Sequence, residues 1–436
     1  MTTLIVDGRA SATALVHSDR GSLVRRFGPL RVVALILAGH LALLGVRYAV
    51  TRSFVAGDSA WQFATLRSLY MQGSLDLSDE ARFFYEERSA HTGNRKLLSV
   101  PEPNPRTGLV TTVWPVGGAL IRLPAFAAAD LASRVASRVG FSVDTSGYRG
   151  LYQILPAVFS LAFGAAGLLL LARAVGRLDS AERALTATST VWLATPVVYY
   201  LTIEPLMGHA LSVGLACCLV ALALQLRTKA APAWRFVTLG VICGLMTITR
   251  YQDAAYFLLP VMLVSQRRLQ AFLAIAAGAA PVIAIQLLVN ARWYGSPWIT
   301  GYGAVVEPEW LAPDIWRHVF DPVQGIFTTH PIQLLGLVGL AWFYRVDKRL
   351  AIALFVIFVV QLYAVAALVP AAPGMSFGNR TITSLTPAFV LGWHSLTARF
   401  PRLEPLGVAL VCVNLILLAL YCLRVVRDPS AVSFPV

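Results

Sequence analysis

Phe54-Val55-Ala56-Gly57-Asp58-Ser59-Ala60-Trp61-Gln62 opens a polar stretch that runs to Asp130 between two strongly apolar segments. Gly73-Ser74-Leu75-Asp76-Leu77 and Val113-Trp114-Pro115-Val116-Gly117-Gly118 follow within it. The segment before it, Leu30 to Val50, is apolar over about the 20 residues that one bilayer crossing needs. Nearly everything after it reads as further apolar helix. A long Pro- and Gly-containing loop hung from the first of many membrane helices points to chemistry at one membrane face, with the candidate site in that loop.

Composition agrees. Of the residues, 57% are hydrophobic and only 13% charged, and the mean hydropathy is +0.66, whereas a soluble domain carries about 25% charged residues. The chain is read as an all-α polytopic membrane protein. Its net charge of +14 fits the Lys/Arg excess of cytoplasmic loops. No dense basic run with interleaved aromatics occurs, so nucleic acid is not an expected partner. Lysine occurs only at Lys96, Lys229 and Lys348, an Arg bias that fits a GC-rich bacterial genome. Cys217, Cys218, Cys243, Cys412 and Cys422 lie in apolar segments without metal-ligand spacing and read as buried, inert thiols rather than a disulfide framework. The polar N-terminus ends in Arg20, Arg25, Arg26 and Arg31 with no A-x-A cleavage site, so the first apolar run is expected to be a retained anchor with the N-terminus inside.

Alternation of basic loops then predicts about eleven spans. They are Leu30 to Val50, Leu151 to Ala174, Leu185 to Thr202, Leu206 to Leu226, two short helices within Phe236 to Ser265, Ala271 to Ala291, Ile332 to Tyr344, Leu350 to Val369, Ile382 to Ala398 and Pro405 to Leu423. The large first extracytoplasmic loop covers 51–150. Its end, Ala119 to Val139, is apolar but broken by Arg122, Pro124, Asp130, Arg134 and Arg138, which predicts an amphipathic helix lying on the membrane. Arg250-Tyr251-Gln252-Asp253 interrupts a long apolar run, so a bend near the outer face is expected there, because charges at mid-bilayer are expensive unless paired. The expected organisation is a cytoplasmic tail at 1–29, a transmembrane catalytic module at 30–300 and C-terminal helices and outer loops at 301–436.

Several segments, in order, resemble the GT-C superfamily of polyprenyl-phosphate-sugar-dependent glycosyltransferases, which includes the protein mannosyltransferase and aminoarabinose transferase relatives. Gly57-Asp58 followed by Ala60-Trp61 is similar to the family's acidic opening of the first outer loop. Pro115-Val116-Gly117-Gly118-Ala119-Leu120 resembles its Pro-x-Gly-x-x-Leu element, and the stretch from Asn290 to Tyr302 that following its seventh helix. Phe320-Asp321-Pro322-Val323-Gln324-Gly325-Ile326-Phe327 with His330-Pro331, and Ser376-Phe377-Gly378-Asn379-Arg380, resemble two later loops. The resemblance spans about Leu30 to Pro387. Ser59 stands where the family has a second acid, which weakens the case for a metal, and Asn379 replaces a proline. The implied activity is inverting transfer of a sugar from a polyprenyl-phosphate donor to a cell-envelope glycan, lipid or protein, outside the inner (plasma) membrane.

That chemistry needs a base for the acceptor hydroxyl, stabilisation of the leaving phosphate and an apolar groove for the lipid. Asp58, just past a helix end, is the candidate base; the alternative is a helix-capping or loop-ordering aspartate. Arg380 and Arg250 are candidate phosphate ligands, since guanidinium binds phosphate through two bonds. The alternatives are a surface loop for Arg380 and an ion pair with Asp253 for Arg250. Glu204, His209, Asp253 and His330 are candidate acceptor or metal contacts, or else satisfied polar residues at helix ends. No cofactor is certain, and a divalent metal is left open. His91, Arg95 and Lys96 form a basic loop cluster. Asp76, Asp79, Glu80, Glu86 and Glu87 read as ordinary loop charges. Trp61, Trp114, Trp293, Trp298, Trp310 and Trp316 read mostly as an interfacial belt. A transporter or lipid flippase is the competing function, but the ionisable residues gather at one face and no internal repeat is evident.

Overall fold

A computed structural model describes residues 28–87, 102–226, 232–263, 268–302, 307–368 and 377–427. The basic cluster His91, Arg95 and Lys96 lies outside the described residues, and the Glu86 and Glu87 side chains are not described. Every regular element among the described residues is helical. The main ones are α1 (Pro29–Thr51), α2 (Asp58–Arg67), α3 (Gly117–Arg138), α4 (Leu151–Gly176), α5 (Ala181–Leu193), α6 (Val197–Thr202), α7 (His209–Leu226), α8 (Ala233–Thr249), α9 (Arg268–Tyr294), α10 (Pro331–Phe343), α11 (Lys348–Leu368), α12 (Thr386–Arg399) and α13 (Glu404–Arg427).

Six of the described helices are long and apolar enough to cross a bilayer: Pro29–Thr51, Leu151–Gly176, His209–Leu226, Leu269–Tyr294, Lys348–Leu368 and Pro401–Arg424. The chain is a multi-pass membrane protein. Two shorter apolar helices, α8 and α10, join these six. The eleven expected spans exceed this set because several apolar runs are interrupted. The expected third span breaks at Ala194-Thr195-Pro196 into α5 and α6, since proline cannot continue the helix. Asn414 of α13 meets the carbonyls freed there, its Nδ2 donating to Leu193 at 2.7 Å and Thr195 at 3.2 Å. The tenth begins as a short 3-10 turn, Thr383–Leu385, before α12. The run through Arg250 breaks into α8, a 3-10 helix Tyr251–Phe257 and Leu258–Leu263.

Helix packing rests on small residues, as it does where lipid removes the hydrophobic driving force between helices. A Cβ on Gly392 of α12 would overlap the Gly336 carbonyl of α10, so the two backbones touch. Helix α3 buries Arg122, Phe126, Ala129, Asp130 and Ser133 along one face and leaves Leu131 and Val135 exposed.

Two charges of the first loop, Glu80 and Asp76, order it rather than standing as ordinary loop charges, while Asp79 stays exposed. Glu80 is fully buried and pairs with Arg67 at 2.5 Å. Arg67 also donates to the Ser146 carbonyl and lies 3.7 Å over the Tyr148 ring. Asp76 Oδ1 accepts from the Ser78 hydroxyl at 2.8 Å and the Val110 amide at 3.0 Å. Trp293, expected in the belt, is buried and donates to the Leu75 carbonyl at 2.7 Å. Trp298 and Trp316 are exposed. All five cysteines are free, and Cys412 faces outward rather than into the core.

Candidate active site

Asp58 is the first residue of α2 and follows Gly57, whose φ of 50° and ψ of −130° suit glycine alone. No side chain caps this helix, so Asp58 is not its cap. The turn is tied instead by Ser59, whose Oγ donates to the Ala56 carbonyl at 2.6 Å and accepts from the Ala56 amide at 2.9 Å. Asp58 is left with its carboxylate at a helix N-terminus, where the dipole favours negative charge. Its Oδ2 lies 2.6 Å from Nη1 of Arg380, and both side chains keep some exposure, 23% and 15%. Residues more than 320 positions apart thus meet as one ion pair.

The Arg380 segment is held from below. Gly378 sits at φ +64°, and a Cβ there would overlap Cε1 of His330 and lie 2.8 Å from Pro196. His330 hydrogen-bonds Asn414 Oδ1 through Nε2 at 3.0 Å and Thr329 Oγ1 through Nδ1 at 2.9 Å. It is a buried support for the segment. Asn379 accepts from the Thr381 amide at 3.0 Å and is buried, so its Asn-x-Thr motif is closed to glycosylation. Arg250 donates to the Thr381 carbonyl at 2.8 Å, the Arg380 carbonyl at 3.4 Å and Thr383 Oγ1 at 3.1 Å. It clamps the backbone that presents Arg380. The expected alternative, an ion pair with Asp253, does not form within ion-pairing distance. Asp253 is fully buried, accepts a short bond from Ser212 and one of 3.2 Å from Gln361, and ties α7 to α11. It has no access to the Asp58 surface. His209 bonds Thr383 Oγ1 at 3.0 Å and lies tilted against the Tyr200 ring, with centroids 4.3 Å apart.

Glu204 stands in the turn between α6 and α7. Its Oε1 is 3.9 Å from Nη2 of Arg47, and its Oε2 is buried without a hydrogen-bond partner. Burial pushes this carboxyl up to about 7; Arg47 and Ser59 oppose the rise, the Asp58 charge adds to it, and Arg380 opposes it. Glu204 therefore shares the electrostatic field of the Asp58–Arg380 pair. Burial works against the charge on Arg380, but Asp58, with Tyr200 and Tyr302, more than offsets this and holds the guanidinium above its usual range.

Three of these participants were missed as site residues in the sequence. Arg47 lies within the apolar run of α1 and gives its Nε to the Ile203 carbonyl at 3.3 Å. An arginine inside a span calls for a partner, and that was the available signal. Arg122, read only as an interruption, is 1% exposed and bonds Ser160 Oγ at 2.8 Å and the carbonyls of Gly118 (3.2 Å), Pro205 (3.0 Å) and Met207 (2.6 Å). It grips the turn that carries Glu204. Tyr302, met edge-on by Trp114 at 5.6 Å, has its hydroxyl pushed above the usual range first by burial, with the Arg380 charge opposing and Asp58 adding. Among the described residues no group of three or more His, Cys, Asp or Glu side chains is placed to hold a metal. Two of the carboxylates, Asp58 and Glu204, face Arg380 and Arg47.

No family model and no curated protein matches the chain. Solved structures do. The apo crystal structure of ArnT from Cupriavidus metallidurans, an aminoarabinose transferase, superposes with a TM-score of 0.53 at 13% identity, covering 88% of this chain and 63% of that one. The archaeal oligosaccharyltransferase AglB from Archaeoglobus fulgidus, in complex with an inhibitory peptide and a dolichol-phosphate, superposes with a TM-score of 0.52 at 12% identity, covering 95% and 57%. The chain spans about three fifths of the length of each. Both are GT-C superfamily members, and this chain has the GT-C fold.

Proposed function

We propose that the protein is a membrane glycosyltransferase that moves a sugar from a polyprenyl-phosphate donor to an extracytoplasmic acceptor, with inversion and with Asp58 as general base. The observation that supports this best is the Asp58–Arg380 pair, which joins a carboxylate and a guanidinium in one partly exposed site on the GT-C fold. In this reading the donor phosphate competes with Asp58 for Arg380, whose planar fork suits phosphate oxygens. Phosphate binding frees Oδ2 of Asp58. That oxygen takes the proton of the acceptor hydroxyl as its oxygen attacks the anomeric carbon from the face opposite the phosphate. The C–O bond to phosphate breaks, its electron pair leaves with the lipid phosphate, and Arg380 stabilises the charge that develops. Arg250 acts through the backbone it clamps, not by touching phosphate. AglB was solved with a dolichol-phosphate, a lipid phosphate of the proposed kind.

The topology belongs to the same proposal: about eleven spans, the N-terminus inside, the site outside the inner membrane, and a catalytic module at 30–300 followed by helices at 301–436. Two measurements test it. Purified protein incubated with a panel of polyprenyl-phosphate sugars is expected to release the lipid phosphate in the presence of an envelope acceptor extract; no release with any donor would refute the activity. In a cysteine-free background, a cysteine at Asp79 is expected to react with a membrane-impermeant thiol reagent in intact cells, and one at Asp179 is not. The reverse pattern would put Asp58 on the wrong face.

A further inference from the structure

At the far end of α12 from Arg380 lies a cavity of about 330 Å³. Its lining includes Leu178, Asp179, Trp342, Arg345, His394 and Arg399. These come from three places: the turn after α4, the end of α10 with the turn that follows it, and the last turns of α12. Arg/Lys alternation assigns all three to the cytoplasmic side. The cavity wall is mostly apolar, and its polar groups have a definite sign. Asp179 is neutralised by Arg183, with Oδ2 and Nη1 2.9 Å apart. Neither Arg345 nor Arg399 forms an ion pair among the described residues, and both are exposed at the rim. His394 is 5% exposed, and its Nδ1 is buried without a hydrogen-bond partner; the neighbouring Arg183 backbone falls outside hydrogen-bond geometry. Its Nε2 is 3.9 Å from Asp179.

An apolar wall, two guanidinium groups at the mouth without an ion pair among the described residues (that of Arg399 lying 5.3 Å over the Phe400 ring) and a buried imidazole nitrogen without a hydrogen-bond partner match an amphiphile with an anionic head. Basic pockets between helices on the cytoplasmic side are suited to anionic lipid headgroups, and the leaflet that faces them is negatively charged. We infer that this cavity binds an anionic phospholipid, with its phosphate between Arg345 and Arg399, His394 within reach of a headgroup oxygen, and the start of its acyl chains against Leu178 and Trp342. The site is separate from the Asp58 centre and stands whether or not the proposed transfer reaction does.

The test uses the full chain in detergent and then in nanodiscs. Native mass spectrometry would measure lipid retained by wild type and by Arg345→Ala/Arg399→Ala, with phosphatidylglycerol or phosphatidylcholine supplied at equal mole fraction. Wild type is expected to retain phosphatidylglycerol preferentially and to gain thermal stability from it. The double variant should lose roughly twenty-five-fold in retention, about fivefold for each arginine, while keeping its lipid-free unfolding midpoint. Arg31→Ala/Arg173→Ala, which removes the same charge away from the cavity, should keep the preference. Equal retention of the two lipids overturns the inference, and so does an equal loss in the Arg31/Arg173 control, which would mean diffuse surface attraction. Protection by inorganic phosphate matching that by phosphatidylglycerol also overturns it, because the cavity would then take a free anion.

Discussion

Glu204→Gln should make the protein's stability less dependent on pH, and by a predictable amount. Burial raises the Glu204 carboxyl from an ordinary 4.5 to about 7. An acid whose folded-state pKa is raised binds more protons folded than unfolded between those two values. Its contribution is therefore present in full below about pH 4.5 and is lost as pH climbs through about 7. The rise corresponds to about 3 kcal/mol, on the order of 5 °C in unfolding midpoint for a chain of this size. Thermal unfolding of wild type and variant in the same detergent, at half-unit steps from pH 4.5 to 8, measures it. Histidines titrate in the same range, but they are common to both proteins, so the difference between the curves isolates Glu204. The variant should match protonated wild type at low pH and be the more stable at pH 8. Parallel curves would refute the claim that a buried carboxyl faces Arg47 in this turn.

Arg380→Lys keeps the charge but loses the fork, so binding of a polyprenyl phosphate should weaken by about 1–3 kcal/mol, as read by a lipid-phosphate binding assay on the folded variant; unchanged affinity would remove Arg380 from the phosphate site. Gly378→Ala forces a Cβ onto a positive φ and into His330, and should lower stability by about 1–3 kcal/mol in thermal unfolding, with a matching loss of donor binding. Arg122→Met strips two carbonyl bonds from the Glu204 turn and leaves buried acceptors unmet; about 2–4 kcal/mol of stability should go, and a near-wild-type unfolding midpoint would make the clamp irrelevant.

The membrane class and most of the helix order were legible because apolar length and basic loops are local signals. The break at Arg250 was legible for the same reason: a charged tetrad cannot sit unpaired in lipid. The interruption at Pro196 was visible as a proline, but its repair was not, since Asn414 reaches those carbonyls from more than 200 residues away. Asp58 and Arg380 were singled out separately. That they pair is a tertiary fact, which nothing near either residue encodes. Arg250, Asp253, His209 and His330 were picked for their chemistry, yet the structure gives each of them buried partners, because a polar group inside a helical bundle must be satisfied whether or not it is functional. Arg47 was not singled out, Arg122 was read as an interruption and Glu80 as an ordinary loop charge, and burial turned each into a structural or electrostatic participant. A charged residue in an apolar context is the shared signal, and its partner can be found only once the helices are packed.

Asp58→Asn tests the central claim most directly. The change is nearly isosteric and leaves Gly57, Ser59 and the start of α2 in place, but it removes both the proton acceptor and the charge facing Arg380. The measurement is sugar transfer from a polyprenyl-phosphate donor by wild type, Asp58→Asn and Asp58→Glu, normalised to folded protein, with donor binding followed in parallel. If Asp58 is the base, the Asn variant should lose about 10²–10⁴-fold in turnover while still binding donor, and the Glu variant should keep part of the activity. Near-normal turnover by Asp58→Asn would contradict the account and leave the Asp58–Arg380 pair a structural tie between two loops.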